Sequence, residues 1–369
     1  MKYMISAGEA SGDLHASRLI KALKELDNDA SFQFLGGRRS ELEAGIKPLI
    51  GLDEMSVMGF GEVVRKLPQI AGHLRKAKEY IANWRPDALV LVDYPSFNLK
   101  LAKYAHKLGI KVYWYISPKV WVWKEYRVKA LKKYVDRLFC ILPFEVEYFN
   151  KRHNWKVDYV GNPSVEEVNT HVGNDLRTIH NISKPLLALL PGSRLKEITT
   201  NLPIMVEVAS RMKDYDALIA AVPEVSPDIY NRFCGNIPLV YNDTYNLLHS
   251  AQAALVTSGT ATLETALMKI PQVMLYRHSG SKTVYKLFRR LLKVPYFSLP
   301  NLILNNEVIS ELVMHFCTPE SVHQKLLEVI EGGSQYERQQ RDYDRMIELL
   351  GTGHPSEKVA AQIFNSIKS

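Results

Sequence analysis

Arg194 closes the run Pro191-Gly192-Ser193-Arg194, which follows the apolar stretch 186–190 directly and leads directly into a helical pattern. Gly192 lets backbone approach a ligand closely, Ser193 can donate or accept at the helix entrance, and Arg194 presents a fork of donors matched to phosphate oxygens. The run ALVTSGTATLETALMK repeats the design, with Ser258, Gly259, Thr260 and Ala261 between a strand pattern and a helix. Free N–H groups and the positive end of that helix favour an anion, and Glu264, one turn further in, is suited to receive ribose hydroxyls. Arg277 stands just after the next apolar run, VMLY. Each loop alone is as readily an ordinary strand-to-helix connection. Two in one domain, with Arg277 beside them, predict a diphosphate site.

The first half opens with a different loop, Gly8-Glu9-Ala10-Ser11-Gly12-Asp13, between the apolar run 2–7 and a stripe of Leu14, Leu19, Ile20, Leu23 and Leu26 at helical period. Its glycines do not make G-x-G-x-x-G, and no Gly-Lys-Ser/Thr follows for a P-loop. Two readings remain: a ligand loop at the carboxyl end of a strand, or a tight turn in which Asp13 or Ser11 caps the helix.

The elements that must position these loops read as an α/β chain. Strand-like runs over 32–35, 88–92, 112–116, 138–142 and 157–160 alternate with helical segments such as 99–108 and 126–134. The apolar signal then fades for some twenty residues. It restarts at Leu186, with strands over 217–222, 239–241, 254–257 and 273–276 and helices over 198–212, 245–249 and 261–268. This rhythm predicts two tandem Rossmann-like doubly wound domains facing across a cleft, over 1–165 and 166–350, with a C-terminal helix in 351–369 packing back on the first.

Composition sets the surroundings. Three cysteines, Cys140, Cys234 and Cys317, lack C-x-x-C spacing, which argues against a disulfide framework or a thiolate zinc site and fits a reducing cytosol. No metal-ligand spacing occurs elsewhere. The sequence carries neither an export-signal pattern nor a run of about 18 apolar residues, so neither export nor a membrane span is expected. The net charge of +8 favours polyanionic partners. No stacking module or helix-turn-helix pattern accompanies it, which turns the reading away from nucleic acid. Two segments mix apolar and basic residues: 57–78, where Val63, Leu67, Ile70 and Leu74 keep helical spacing beside Arg65, Lys66, Arg75, Lys76 and Lys78 although Pro68 interrupts it, and 114–133. Such segments suit a lipid interface or a docked helix.

The runs SAGEASGDLHA, VDYPSFN, SPKVWVW, LPFEVEYF, LLPGSR, SGTATLE and SLPNL, in this order and spacing, resemble the lipid-A-disaccharide synthase family over nearly the whole chain. The resemblance implies the two-domain GT-B glycosyltransferase fold. It further implies inverting transfer of a diacylglucosamine unit from UDP-2,3-diacylglucosamine to 2,3-diacylglucosamine 1-phosphate, forming a β-1,6 disaccharide and UDP without metal or other cofactor. The nucleotide would rest on the second domain, so Glu9 and Ser11 match the sugar-side loop, Glu9 standing also as the rival catalytic base, and Asn301, in SLPNL, matches a position tied to activity and falls on the sugar and acceptor side. Asp93, at the end of ALVLVD, would take the proton of the incoming 6-hydroxyl; its plainer reading is a helix cap or a partner for a lysine. Many members carry an aspartate where this chain has Ser96, which leaves Asp93 the only carboxylate of that loop. The implied location is peripheral, on the cytoplasmic face of the inner membrane, with oligomeric state left open. Two rivals share features with this reading: a UDP-sugar epimerase of the same fold and a non-catalytic membrane-surface binding protein.

Overall fold

Strands buried on both faces need continuous apolar runs, and the runs of this chain assemble into parallel sheets. The computed structural model describes residues 1–55, 67–277 and 294–368, so Val63, Arg65 and Lys66 of the first basic segment lie outside the described residues. The chain divides into two units, Met1–Pro163 with Thr352–Ser369, and Ser164–Gly351.

The first unit holds β1 (Lys2–Ala7), β2 (Ser31–Gly36), β3 (Ile50–Gly51), β4 (Ala88–Val92), β5 (Lys111–Tyr115), β6 (Arg137–Cys140) and β7 (Asp158–Tyr159), in the order β3-β2-β1-β4-β5-β6-β7. The second holds β8 (Leu186–Leu190), β9 (Asp216–Ala221), β10 (Leu239–Tyr241), β11 (Ala253–Thr257), β12 (Gln272–Tyr276) and β13 (Ser310–Val313), in the order β10-β9-β8-β11-β12-β13. Strand order reverses between β1 and β4 in one sheet and between β8 and β11 in the other. Those reversals are where open parallel sheets leave room for ligands. Register then fixes which loops meet: Ala7 pairs with Val92, so Gly8 and Asp93 leave the sheet side by side, and Leu190 pairs with Val256, so the loops after Leu190 and Thr257 do the same.

Several boundaries differ from expectation. The 138–142 and 157–160 runs shorten to β6 and β7, because Leu142 and Val160 already serve the following connections. The helix expected over 198–212 starts earlier, as Leu195–Arg211, because Glu197 caps it. The 126–134 segment opens with a 3-10 turn, Glu125–Arg127, before the helix Val128–Tyr134. Short β3 and β13 carry too little apolar sequence to stand out.

Both faces of the first sheet are covered. Met4, Leu89, Leu91 and Trp114 pack on one side, and Tyr3, Ile5, Val90 and Tyr113 pack on the other with Leu19 and Leu23 of the helix Ala10–Leu26. The C-terminal helix Pro355–Lys368 joins that second face through Val359, Ala360 and Ile363, and the Tyr113 hydroxyl donates to Ser366 Oγ at 3.0 Å. Charge divides unevenly between the units: the first has 29 Lys and Arg against 19 Asp and Glu, the second 18 against 20.

Candidate active site

In the first unit the backbone after β4 turns sharply, with Asp93 at φ +45° and Tyr94 at φ +48°. Two successive non-glycine residues in the left-handed region hold a conformation that the surroundings must enforce. Asn98 enforces it. Buried in the helix Pro95–Lys107, its Nδ2 donates to the Asp93 carbonyl at 2.8 Å while its Oδ1 accepts from Ser6 Oγ of β1 at 2.7 Å. The turn lays the Tyr94 ring over Gly8, where an added Cβ would lie 2.3 Å from the ring, so Gly8 is a glycine for want of space.

This turn brings Asp93 within electrostatic reach of Glu9. Burial first, and the Glu9 charge second, raise the Asp93 carboxyl above its ordinary range, against the pull of the Lys119 ammonium and of a backbone hydrogen bond from Tyr94. The capping reading of Asp93 fails, because the N-cap of the following helix is Tyr94. The lysine-partner reading survives only as Lys119, whose charge acts on it. Asp13 and Ser11 do not cap the helix Ala10–Leu26. Its N-cap is Glu9, extended and without a side-chain cap bond, and Ser11 is exposed beside it. The buried Asp13 carboxylate instead accepts from the Gly37 and Arg39 backbone N–H groups at 2.7 and 3.1 Å, tying the β2 loop to the opening loop. Ser96 is exposed and accepts from Arg127 Nη2 at 3.2 Å.

The second unit repeats the device with a second asparagine. Asn201, buried in the helix Leu195–Arg211, donates from Nδ2 to Thr257 Oγ1 at 3.1 Å and accepts the Arg277 backbone N–H at 2.9 Å, binding the ends of β11 and β12 to one helix. Gly192 takes φ +103°, and the Glu197 carboxylate lies against it. That carboxylate accepts from the Arg194 N–H at 3.3 Å and pairs with Arg194 Nη1 at 3.0 Å, although the arginine side chain is 79% exposed. Gly259 and Thr260 are exposed, and a Cβ at Gly259 would meet nothing within 4 Å, so this loop stands open. Glu264, behind it, is hydrogen-bonded by Tyr245 and raised above its ordinary pKa by burial. A cavity of about 270 Å³ joins Arg194, Glu197 and Ser258 to Tyr276, Phe297, Val313 and Met314, a polar end beside an aromatic and apolar wall. Among the described residues, no group of three or more His, Cys, Asp and Glu stands where it could hold a metal ion.

Asn301 is buried, and its amide is engaged by its own neighbours. Its Oδ1 accepts from Val308 and Ile309 N–H at 2.8 and 2.9 Å, and its Nδ2 donates to the Ile309 carbonyl and Glu311 Oε1, each at 2.9 Å. Those four bonds exhaust a side-chain amide. Asn301 therefore shapes the wall: Glu311, which it holds, also accepts from the Phe297 and Ser298 N–H groups at 3.0 and 2.8 Å. Asn98, Asn201 and Glu311 escaped the sequence reading. The available signal was an asparagine inside an apolar helical stripe, Phe97-Asn98-Leu101 and Ile198-Asn201-Leu202.

Two doubly wound units, each with its loops gathered at a strand-order reversal, define the GT-B class of fold. A UDP-GlcNAc 2-epimerase from Neisseria meningitidis, solved with UDP-GlcNAc bound, matches with a TM-score of 0.61 at 12% identity, covering 99% of this chain and 100% of that one. A calicheamicin glycosyltransferase matches with a TM-score of 0.60 at 15% identity, covering 99% and 98%. Sequence separates what fold alone does not. The lipid-A-disaccharide synthetase family profile matches residues 3–364. Lipid-A-disaccharide synthases from Myxococcus xanthus and Geobacter sulfurreducens are 37% and 32% identical, covering 98% and 99% of this chain and 97% of each relative. The chain belongs to the lipid-A-disaccharide synthase family and is a glycosyltransferase.

Proposed function

We propose that the chain transfers the diacylglucosaminyl group of UDP-2,3-diacylglucosamine, with inversion, to the 6-hydroxyl of 2,3-diacylglucosamine 1-phosphate, giving a β-1,6-linked disaccharide 1-phosphate and UDP. The observation that carries this reading is the end-to-end match to lipid-A-disaccharide synthases, since the fold is shared with epimerases. In the reaction the bond from the anomeric carbon to the diphosphate breaks as the acceptor oxygen bonds to that carbon from the opposite face. Asp93 takes the hydroxyl proton, and its raised pKa suits that task. The Gly192, Ser193 and Arg194 loop, the Ser258 to Ala261 helix entrance and Arg277 receive the charge that develops on the diphosphate. Tyr276 and Phe297 offer faces for the uracil ring. Glu9 and Ser11 flank the acceptor sugar.

The enzyme works on the cytoplasmic face of the inner membrane, where its acylated substrates lie. The excess of basic residues in the first unit supports this, as do the exposed side chains of Trp123 and Tyr126, with Lys124 Nζ 3.9 Å from the centre of the Trp123 ring. Among the described residues no helix is long and apolar enough to cross a membrane.

Mass spectrometry of products decides the matter. The two substrates together should yield the disaccharide 1-phosphate and UDP in equal amounts. Isomerised UDP-sugar from the donor alone would favour an epimerase, and vesicle binding without UDP release from any donor would favour a non-catalytic binding protein.

A further inference from the structure

SPKVWVW holds two of the chain's five tryptophans, and the transfer chemistry assigns nothing to it. It begins where β5 ends, beside the Asp93 turn: Tyr115 pairs with Val92, and its carbonyl accepts the Asp93 N–H at 3.2 Å. The exit from β5 is strained, because Ile116, a β-branched residue, sits at φ +69°. Something must hold the segment in place.

Glu145 is built to do so. It lies near the start of the helix Pro143–His153, fully buried, and its Oε2 accepts the Ile141 and Leu142 N–H groups at 3.2 and 3.1 Å. Those bonds are an ordinary helix cap. Its other oxygen is not explained by capping: Oε1 accepts Trp121 Nε1 at 3.0 Å, from the middle of the motif. The neighbouring Phe144 meets the same indole edge-on, with centroids 4.9 Å apart and planes at 87°. Two successive residues thus clamp both the ring and the N–H of Trp121. The groups facing Glu145 are Lys119 and Trp121 from the motif, Cys140 from β6 and Tyr159 from β7. Of these, Lys119 also acts on Asp93.

We propose that Glu145 and Trp121 form a positioning pair that fixes the segment 117–123 against the end of β5 and thereby holds the Lys119 ammonium beside Asp93. This inference rests on the reading of Asp93 as the base. A glutamine at 145 cannot serve both sides: its amide presents a donor either to the indole N–H or to the two backbone N–H groups. Phenylalanine at 121 keeps a ring against Phe144 but leaves Oε1 without its donor.

The test compares Glu145→Gln, Trp121→Phe, their double variant and Lys119→Met, with Asp93→Asn alongside. Each of the first two should lower kcat about tenfold or more and raise KM for the acceptor, with KM for the donor within about twofold. The acidic limb of the rate-pH profile should move to higher pH in both and in Lys119→Met, because the cation that favours ionised Asp93 has shifted or gone. A merely structural role would leave that limb in place. Should Glu145→Gln fail to fold, Trp121→Phe carries the same comparison. A limb that stays put in these variants while Asp93→Asn abolishes it overturns the pair. A limb that survives Asp93→Asn overturns the base assignment instead, and the pair is then judged by the double variant: losses in acceptor kcat/KM that fail to add support it, and losses that add overturn it.

Discussion

Opposed influences act on the Asp93 carboxyl. Burial and the Glu9 charge raise its pKa and Lys119 opposes them, so the group ionises above the ordinary carboxylate range. Since only the ionised form accepts a proton, activity should rise with pH through that raised value. Asp93→Asn should lower turnover by about a hundred- to ten-thousand-fold with donor binding little changed, and the acidic limb should vanish. Glu9→Gln should lose much less rate and shift the limb to lower pH, because a like charge has been removed. A larger loss at Glu9, with the limb surviving in Asp93→Asn, would transfer the role to the opening loop. Arg194 presents the opposite case, an exposed cation paired with Glu197. Bound diphosphate would draw the guanidinium into a bidentate contact, so Arg194→Ala should cost on the order of 2 to 4 kcal/mol in kcat/KM and weaken UDP in calorimetry. Lysine should rescue only part of it, lacking the fork. Unchanged UDP affinity in Arg194→Ala would contradict the assignment.

Elements explain what the sequence could and could not reveal. Buried parallel strands read directly from runs such as Leu186–Leu190 and Ala88–Val92, and the reversal of direction after them set the loops. β3 and β13 were missed because a two-residue strand and the half-polar SELV carry no apolar run. The supports of the site were hidden for another reason: Ser6 and Asn98 are separated by 92 positions, and Asn201 and Thr257 by 56. Glu145 and Trp121 were hidden in the same way, being 24 apart. Side chains that bond to side chains distant in sequence leave no periodic trace. The helix Pro355–Lys368 makes a related point, since its apolar stripe is plain but its host is not. Ile363 is fully buried with Leu19 and Leu23. Ile363→Ala should therefore cost about 2 to 5 kcal/mol, read by urea unfolding. Hydrogen exchange should speed in the helix Ala10–Leu26 and stay unchanged in β8 and β11. Equal loss of protection in both units would contradict the assignment of this helix to the first.

At the scale of the whole molecule the net charge of +8 proves to be a property of one unit. The first carries a surplus of ten basic residues and the second a deficit of two, so an anionic surface attracts one unit and slightly repels the other. Each basic residue near an anionic membrane contributes roughly 1 kcal/mol, and the attraction is screened within a Debye length of about 8 Å at physiological ionic strength. Binding to vesicles containing anionic lipid should accordingly fall steeply as salt rises. Lys129 is exposed on the helix Val128–Tyr134, close to Trp123 and Tyr126 in sequence, and Lys129→Glu reverses one charge there. That variant should bind anionic vesicles several-fold more weakly at low salt, with the difference closing as salt is added. Trp123 tests the other component. Its indole is 59% exposed, and an aromatic ring resting in the headgroup region gains free energy whatever the salt. Trp123→Ala should therefore weaken binding by a similar factor at low and high salt, and on neutral vesicles as well. Charge reversal at the exposed Lys213 of the second unit should leave binding unchanged or slightly weaker. Sedimentation that is equal on neutral and anionic vesicles at every salt concentration would remove the electrostatic component, and a loss at Lys213 as large as at Lys129 would mean that the first unit is not the membrane-facing one.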